Sequence, residues 1–312
     1  MKQRFQSNLS MKKKRNGLML FCTVVLTLGV LTACANVTSG SSAAFKPGTI
    51  YSSLDGKQVV SYDAGNSYSI DKEGHVSISY RNGEVTAQTP LKVKTTSDSF
   101  YDGGISAGGF FISEDKTAIV YNPEPDQFAP VHVLISDDMG KTWNETIVQS
   151  ENAKGDELFI GFMSKKEGWM VVGHSCGVVC AENFVFQTAD GGKTWVETGN
   201  PNDMYSEHLT GVGFANPNIG FLGYRYFSEP APIIYWTKDR GKTWDRLSVS
   251  LSEKFEIYSK NPLSPSFNGK EGLLPISVFD DQLGVLGTIY LSSKDGGLTW
   301  AYDASLDKLP GT

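Results

Sequence analysis

Arginine is scarce beyond residue 34, where only Arg81, Arg225, Arg240 and Arg246 occur. A site that grips a substrate carboxylate with three guanidinium forks has little to build from. Histidine is limited to His75, His132, His174 and His208, too scattered for a His-rich metal cluster. His132 sits on an alternating strand and reads as a partly buried strand residue. A Ser nucleophile elbow and a phosphate-cradling Gly loop are both missing. Basic charge is also short. Residues 1–33 hold six of the 28 Lys and Arg, leaving 22 against 34 Asp and Glu, a net of −12 for the remainder. Such a surface repels phosphate backbones and argues against a nucleic-acid partner.

The six early basic residues belong to an address. Met11–Arg15 is a positive stretch, and Leu18–Leu31 is an uncharged run of 14 residues. That run is short for a membrane helix of ~20 residues but suits the core of a signal peptide. It ends in Leu31-Thr32-Ala33-Cys34, which resembles a bacterial lipobox. Residues 1–33 are therefore expected to be a lipoprotein signal peptide, with Cys34 lipidated. Residues 34–44, rich in Ser, Ala and Gly, would be a flexible tether, and residues 45–312 the folded domain. This predicts an exported protein, lipid-anchored to the bacterial membrane and facing away from the cytoplasm.

Cysteine is sparse too. Of four, Cys22 lies in the removable segment and Cys34 carries the lipid, which leaves Cys176 and Cys180. In an oxidising compartment this even pair predicts a disulfide. Free thiols, or a metal held with His174, are the alternatives; no fourth ligand is evident.

Glycine is plentiful, at 33 residues, and aromatics reach 12%, as in a protein of many turns and strands. Self-similarity identifies the turns. Four segments read [S/T]-x-D-x-G-x-T-W: 136–143, 188–195, 237–244 and 293–300. Their fixed residues include Asp138, Gly140 and Trp143; Asp190, Gly192 and Trp195; Asp239, Gly241 and Trp244; and Asp295, Gly297 and Trp300. The spacings are 52, 49 and 56 residues. Phe111, Phe162, Phe214 and Phe267 precede the boxes in phase by 23 to 26 positions. Gly168-Trp169 and Gly220-Phe221 follow two of them by six residues. A worn fifth copy, Ile78–Thr86, keeps Ser79 and Gly83.

Each box reads as a hairpin turn. Asp accepts hydrogen bonds from turn amides, Gly supplies a backbone conformation that a Cβ disfavours, and Trp packs between neighbouring sheets. A unit of about 50 residues and four strands is the period of a propeller blade. The predicted fold is all-β, a β-propeller of five four-stranded blades with a degenerate terminal blade. The last blade is open to completion by an N-terminal strand, and residues 45–95 have a separate cap as their alternative.

The boxes resemble the sialidase-type Asp-box, or BNR, repeat. The pairing of an aromatic-x5-Gly-aromatic segment with the box is similar to propellers of the photosystem II assembly factor family. These resemblances imply that the boxes are architectural and sit on the blade periphery. The sialidase arginine triad is not matched, and the arginine-rich partner surface of the assembly factors is not either. The resulting expectation is a non-catalytic, surface-anchored binding or assembly module. It would bind an envelope protein or a glycan and use no cofactor and no metal. Its alternative is a carbohydrate-active hydrolase, a glycosidase needing two suitably placed carboxylates. Tyr224, Arg225 and Tyr226 are the candidate binding residues, an aromatic pair around an arginine of the kind found at hot spots, with ordinary strand packing as the alternative. Tyr205–His208 lies on the link entering the same repeat, and Asn122–Asp126 reads as a solvated turn.

Overall fold

The strands form because apolar residues alternate, and the sheets form because successive strands pair antiparallel. A computed structural model describes residues 49–52, 58–62, 65–93, 105–124, 129–178, 180–225, 231–280 and 282–309. All belong to one compact unit, residues 42–312. The signal segment, Cys34, the tether, Tyr226 and Pro125–Asp126 lie outside the described residues.

Five antiparallel sheets succeed one another along the chain. Blade 1 contains β1 (Thr49–Ser52), β2 (Gln58–Tyr62), β3 (Asn66–Ile70), β4 (His75–Tyr80) and β5 (Val85–Lys92). Blade 2 contains β6 (Phe110–Ile112), β7 (Thr117–Tyr121), β8 (His132–Ser136) and β9 (Asn144–Ile147). Blade 3 contains β10 (Glu157–Phe162), β11 (Gly168–Gly177), β12 (Cys180–Thr188) and β13 (Val196–Gly199). Blade 4 contains β14 (Leu209–Phe214), β15 (Gly220–Tyr224), β16 (Ile233–Thr237) and β17 (Asp245–Arg246). Blade 5 contains β18 (Ser259–Pro262), β19 (Ser266–Asn268), β20 (Glu271–Asp280), β21 (Gly284–Ser293) and β22 (Ala301–Tyr302). The fold is a five-bladed β-propeller. The worn copy forms the β4–β5 hairpin of blade 1, in the place the boxes occupy elsewhere.

Two details differ from expectation. Blade 1 has a fifth strand, because β1 pairs with β2. Among the described residues, blade 5 pairs only strands of its own and none from the N-terminal part. Its innermost strand is broken in two, so that β18 and β19 both lie along β20. The outer edge of β21 is covered by β22 and by an isolated bridge from Lys308 to Thr288.

The middle strands are buried on both faces, and alternate residues serve opposite neighbours. Ile119 packs towards blade 1, while Ala118 and Val120 pack towards blade 3. Met170 and Val172 face blade 2, while Trp169 and Val171 face blade 4. Leu222 faces blade 3 and Phe221 faces blade 5. Four apolar clusters thus join blades 1–2, 2–3, 3–4 and 4–5.

The boxes fix how one sheet lies on the next. In the first, Ser136 Oγ donates to Asp138 Oδ1 at 2.8 Å and accepts from Gly140 N at 2.8 Å. Thr142 donates to Asp138 through its amide at 2.9 Å and its hydroxyl at 2.7 Å. The same bonds recur around Asp190, Asp239 and Asp295. Two successive left-handed residues close each turn. The second is always glycine, with φ of 76° at Gly140, 90° at Gly192, 88° at Gly241 and 90° at Gly297.

Glycine is required there for a second reason. A Cβ on Gly192 would lie 2.2 Å from Ile135 of the preceding blade, and one on Gly297 would lie 2.7 Å from Phe221. Each box Trp lies in the cluster that joins its own blade to the preceding one. Trp143 packs in the blade 1–2 cluster, Trp195 in 2–3, Trp244 in 3–4 and Trp300 in 4–5. Trp195 meets Phe162 edge-on, and Trp300 meets Phe267 and Phe221.

The aromatic-glycine spacing has an equally local cause. Phe162 pairs across strands with Gly168, Phe214 with Gly220 and Phe267 with Gly272. A Cβ on Gly220 would come within 2.3 Å of the Phe214 ring, so the ring lies over a bare backbone. In blade 2 the partner of Phe111 is Ala118.

Two predictions follow from these corners. Gly192→Ala combines a disfavoured backbone with an inter-blade clash and should lower stability by about 2–4 kcal/mol in urea unfolding. The second concerns acid. The Thr142 hydroxyl and amide and the Ser136 hydroxyl hold Asp138 at about 2, below its ordinary 3.8. Burial opposes the same shift at Asp190, yet its turn donors still hold it at about 2. A carboxyl depressed by folding stabilises fully above its ordinary value and loses that contribution as pH falls through the folded one. Indole fluorescence should therefore report a loss of stability as pH drops from about 4 towards 2, with a shallower acid limb in Asp190→Asn.

Candidate functional site

Each blade has two ends. The boxes occupy one, together with the turns that follow the first strands. The other end carries the hairpins between second and third strands, and the links between blades.

At that second end, blades 3 and 4 meet around four charged groups. Glu157 opens β10 and is 6% exposed; Glu207, on the link into β14, is 3% exposed. His208 Nδ1 is hydrogen-bonded to Glu157 Oε1. Its Nε2 faces the Gly177 carbonyl at 2.9 Å. The Leu209 amide donates to Glu157 Oε2 at 3.4 Å. Glu207 Oε1 accepts from the His208 amide at 2.9 Å and from Arg225 at 3.0 Å. Arg225, which follows β15, also donates to the Val178 carbonyl. Asn183 and Ser206 tie the same link to β12: Asn183 Nδ2 donates to Glu207 O, and Ser206 Oγ to Ala181 O.

The hairpin held in this way is the β11–β12 tip, closed by a Cys176–Cys180 disulfide with Cα atoms 5.2 Å apart. Its sulfurs are bonded to each other and are not available with His174 as metal ligands. Val178 at the tip is 83% exposed. Two charged side chains from the neighbouring blade thus grip two successive carbonyls of a stapled hairpin. Burial pushes the His208 imidazole down, but the Glu157 carboxylate and the Gly177 carbonyl outweigh it and leave the pKa above its ordinary 6.5.

The candidate binding residues do not act together as expected. Arg225 reaches the hairpin, but Tyr224 is fully buried. Its ring meets Tyr205 and Tyr235 edge-on, and burial raises its phenol well above the ordinary value. It is core because β15 is a middle strand with neighbours on both faces. Asn122, read as part of a solvated turn, is also fully buried; its amide donates to the Ala129 and Gly155 carbonyls.

The other arginines among the described residues have separate partners, and no three are brought together there. Arg81 pairs with Glu114, Arg240 is in a box turn, and Arg246 lies over Tyr235. At the tip of blade 1, Asp71, Glu73 and His75 place ligand atoms within 4.8 Å of one another. Asp71 is already spent on the turn, accepting from the Glu73 and His75 amides and bonding the His75 ring. At the box end, the buried Lys116 ammonium bonds Asp137 and the Gly191 carbonyl of the next blade.

Sequence reasoning reached Glu207, His208 and Arg225 but missed Glu157. Its one signal was a carboxylate heading an otherwise apolar strand, Leu158–Phe162.

No protein-family model and no curated protein matches the chain. Solved structures are similar at low identity. The GH74 enzyme of Niastella koreensis is 14% identical with a TM-score of 0.46, over 77% of this chain and 35% of that one. The chain thus spans about a third of that enzyme's length. A protein of unknown function from Dyadobacter fermentans is 15% identical with a TM-score of 0.47, over 80% and 76%. A polysaccharide lyase of family PL25, an ulvan lyase, is 12% identical with a TM-score of 0.43, over 82% and 69%. These are likenesses of chain path and assign no chemistry; the five blades rest on their own pairings.

Arg225→Ala would leave the buried Glu207 carboxylate with main-chain donation only. Arg225 is partly exposed, which weakens the pair, so a loss of about 1–3 kcal/mol is expected. In a double-mutant cycle, Glu207→Gln should recover part of it.

Proposed function

We propose that this chain is an exported lipoprotein, anchored through Cys34, and a non-catalytic binding or assembly module of the bacterial envelope. Its recognition surface is the end opposite the boxes. One observation carries this reading. Val178, Met204, Ile257, Leu283 and Val285 are 55–83% exposed, and all lie on hairpin tips or inter-blade links at that end. Among the described residues, the box end exposes fewer, Leu298 at 46% and Val196, just after a box, at 64%. Apolar side chains held out on rigid loops suit contact with a protein partner.

The carboxylates at this end support the same reading. Glu157 and Glu207 are the two buried acids among the described residues; Glu157 is occupied by donors from the next blade, and Glu207 by the His208 amide and Arg225. A glycosidase pair needs carboxyls free to meet a leaving group and a water or sugar carbon. The resemblance to assembly-factor propellers fits a role in building an envelope complex. The anchor rests on the order of positive stretch, apolar run and lipobox.

Two measurements test the proposal. Cells fed an alkyne fatty acid should label the wild-type protein and not Cys34→Ser. A photo-crosslinker at position 178 or 283 should capture an envelope protein, and one at position 298 should not. Hydrolysis of an envelope or plant polysaccharide by the purified protein, lost in Glu157→Gln with the fold intact, would replace this reading with the hydrolase.

A further inference from the structure

We propose that His208 is a pH-operated latch that holds the Cys176–Cys180 hairpin of blade 3 against blade 4. The case starts from donors and acceptors. Nε2 faces the Gly177 carbonyl, which can only accept. Nδ1 faces the Glu157 carboxylate, which accepts whenever it is ionised. Both contacts can be made together only with a proton on Nε2 and a second proton between Nδ1 and Glu157. A neutral imidazole beside an ionised Glu157 has one proton for two acceptors. It must turn a lone pair towards either the carboxylate or the carbonyl, and one contact becomes repulsive.

The location makes that loss matter. The hairpin tip projects from the blade, with Cys176, Gly177 and Val178 exposed. At its tip, blade 4 holds it through the two carbonyl contacts, His208 to Gly177 and Arg225 to Val178. Arginine keeps its charge across the accessible pH range. Histidine does not, so one grip is permanent and the other is conditional.

The charged groups facing the imidazole come from three elements. Glu157 on β10 and Glu207 on the link favour its protonated form; Arg225 after β15 opposes it. The balance leaves the imidazole more basic than usual. The sign follows. A histidine whose pKa is raised by folding contributes its full stabilisation below its ordinary value and loses it as pH rises through the folded one. The latch is therefore closed in acid and opens as pH rises through a midpoint above the ordinary imidazole value. The disulfide keeps the tip a closed loop in both states, so opening frees the hairpin without unfolding it. The consequence for partner binding rests on the reading that this end is the recognition surface; the latch itself does not.

Hydrogen exchange on the full mature protein tests it, with exchange corrected for intrinsic pH dependence. From about pH 5 to about pH 9, protection of residues 175–181 should fall roughly tenfold in one step. The His208 ring signal in NMR should titrate with the same midpoint. Glu157→Gln should move that midpoint down by about 1 in pH. His208→Gln should remove the step and leave the protection of β15 and β16 unchanged. Three results would overturn the latch: flat protection across the range, a ring midpoint unrelated to the exchange step, or a step that survives in His208→Gln. A latch that titrates while crosslinks at position 178 stay absent at every pH would sink the recognition-surface reading and leave the latch standing.

Discussion

The fold depends on the seating of each box glycine and indole against the preceding sheet. The second left-handed position of each turn is held by glycine, because its backbone disfavours a side chain and because, at Gly140, Gly192 and Gly297, the neighbouring blade occupies the space a Cβ would take. Asp, Ser or Thr, and the final Thr hold that turn in one geometry, so the Trp that follows always leaves the corner in the same direction. Local hydrogen bonding thereby fixes an inter-blade packing angle. Repeating it in blades 2 to 5 places equivalent indoles in four successive clusters.

Blade 1 shows what remains when the box is worn. Arg81, Asn82 and Gly83 still turn the chain with positive φ, but no Asp bonds the turn and no Trp follows. Blade 1 is held to blade 2 instead by its own apolar face, with Tyr68 stacked on Phe110 and the buried Tyr80 hydroxyl bonded to Thr117. A corner without a box can thus be kept when flat aromatic burial supplies the contact.

Strain and charge are divided between the two ends. The box end uses carboxylates as turn acceptors and buries the Lys116 ammonium between blades. The opposite end uses Glu157, Glu207, His208 and Arg225 to bind blade 4 to a hairpin of blade 3. Both are architectural uses of ionisable groups. They differ in consequence, because an imidazole set between two acceptors gains or loses one of its contacts with pH.

Much of the fold was legible in the chain. The spacing of Asp138, Asp190, Asp239 and Asp295, and the phase of Phe162 and Phe214 with their glycines, are local patterns within one hairpin or one strand pair, and a sequence records such patterns directly. Tyr224 shows the limit. An aromatic beside an arginine reads the same whether it faces solvent or a neighbouring sheet, and only the sheets on either side of β15 made it core. Glu157 and His208 lie 51 residues apart, and nothing near either one names the other. The sequence by itself determined where the chain turns and which residues repeat, since those depend on neighbours a few positions away. The tertiary structure alone decided which charges meet, because that depends on how one blade is laid against the next.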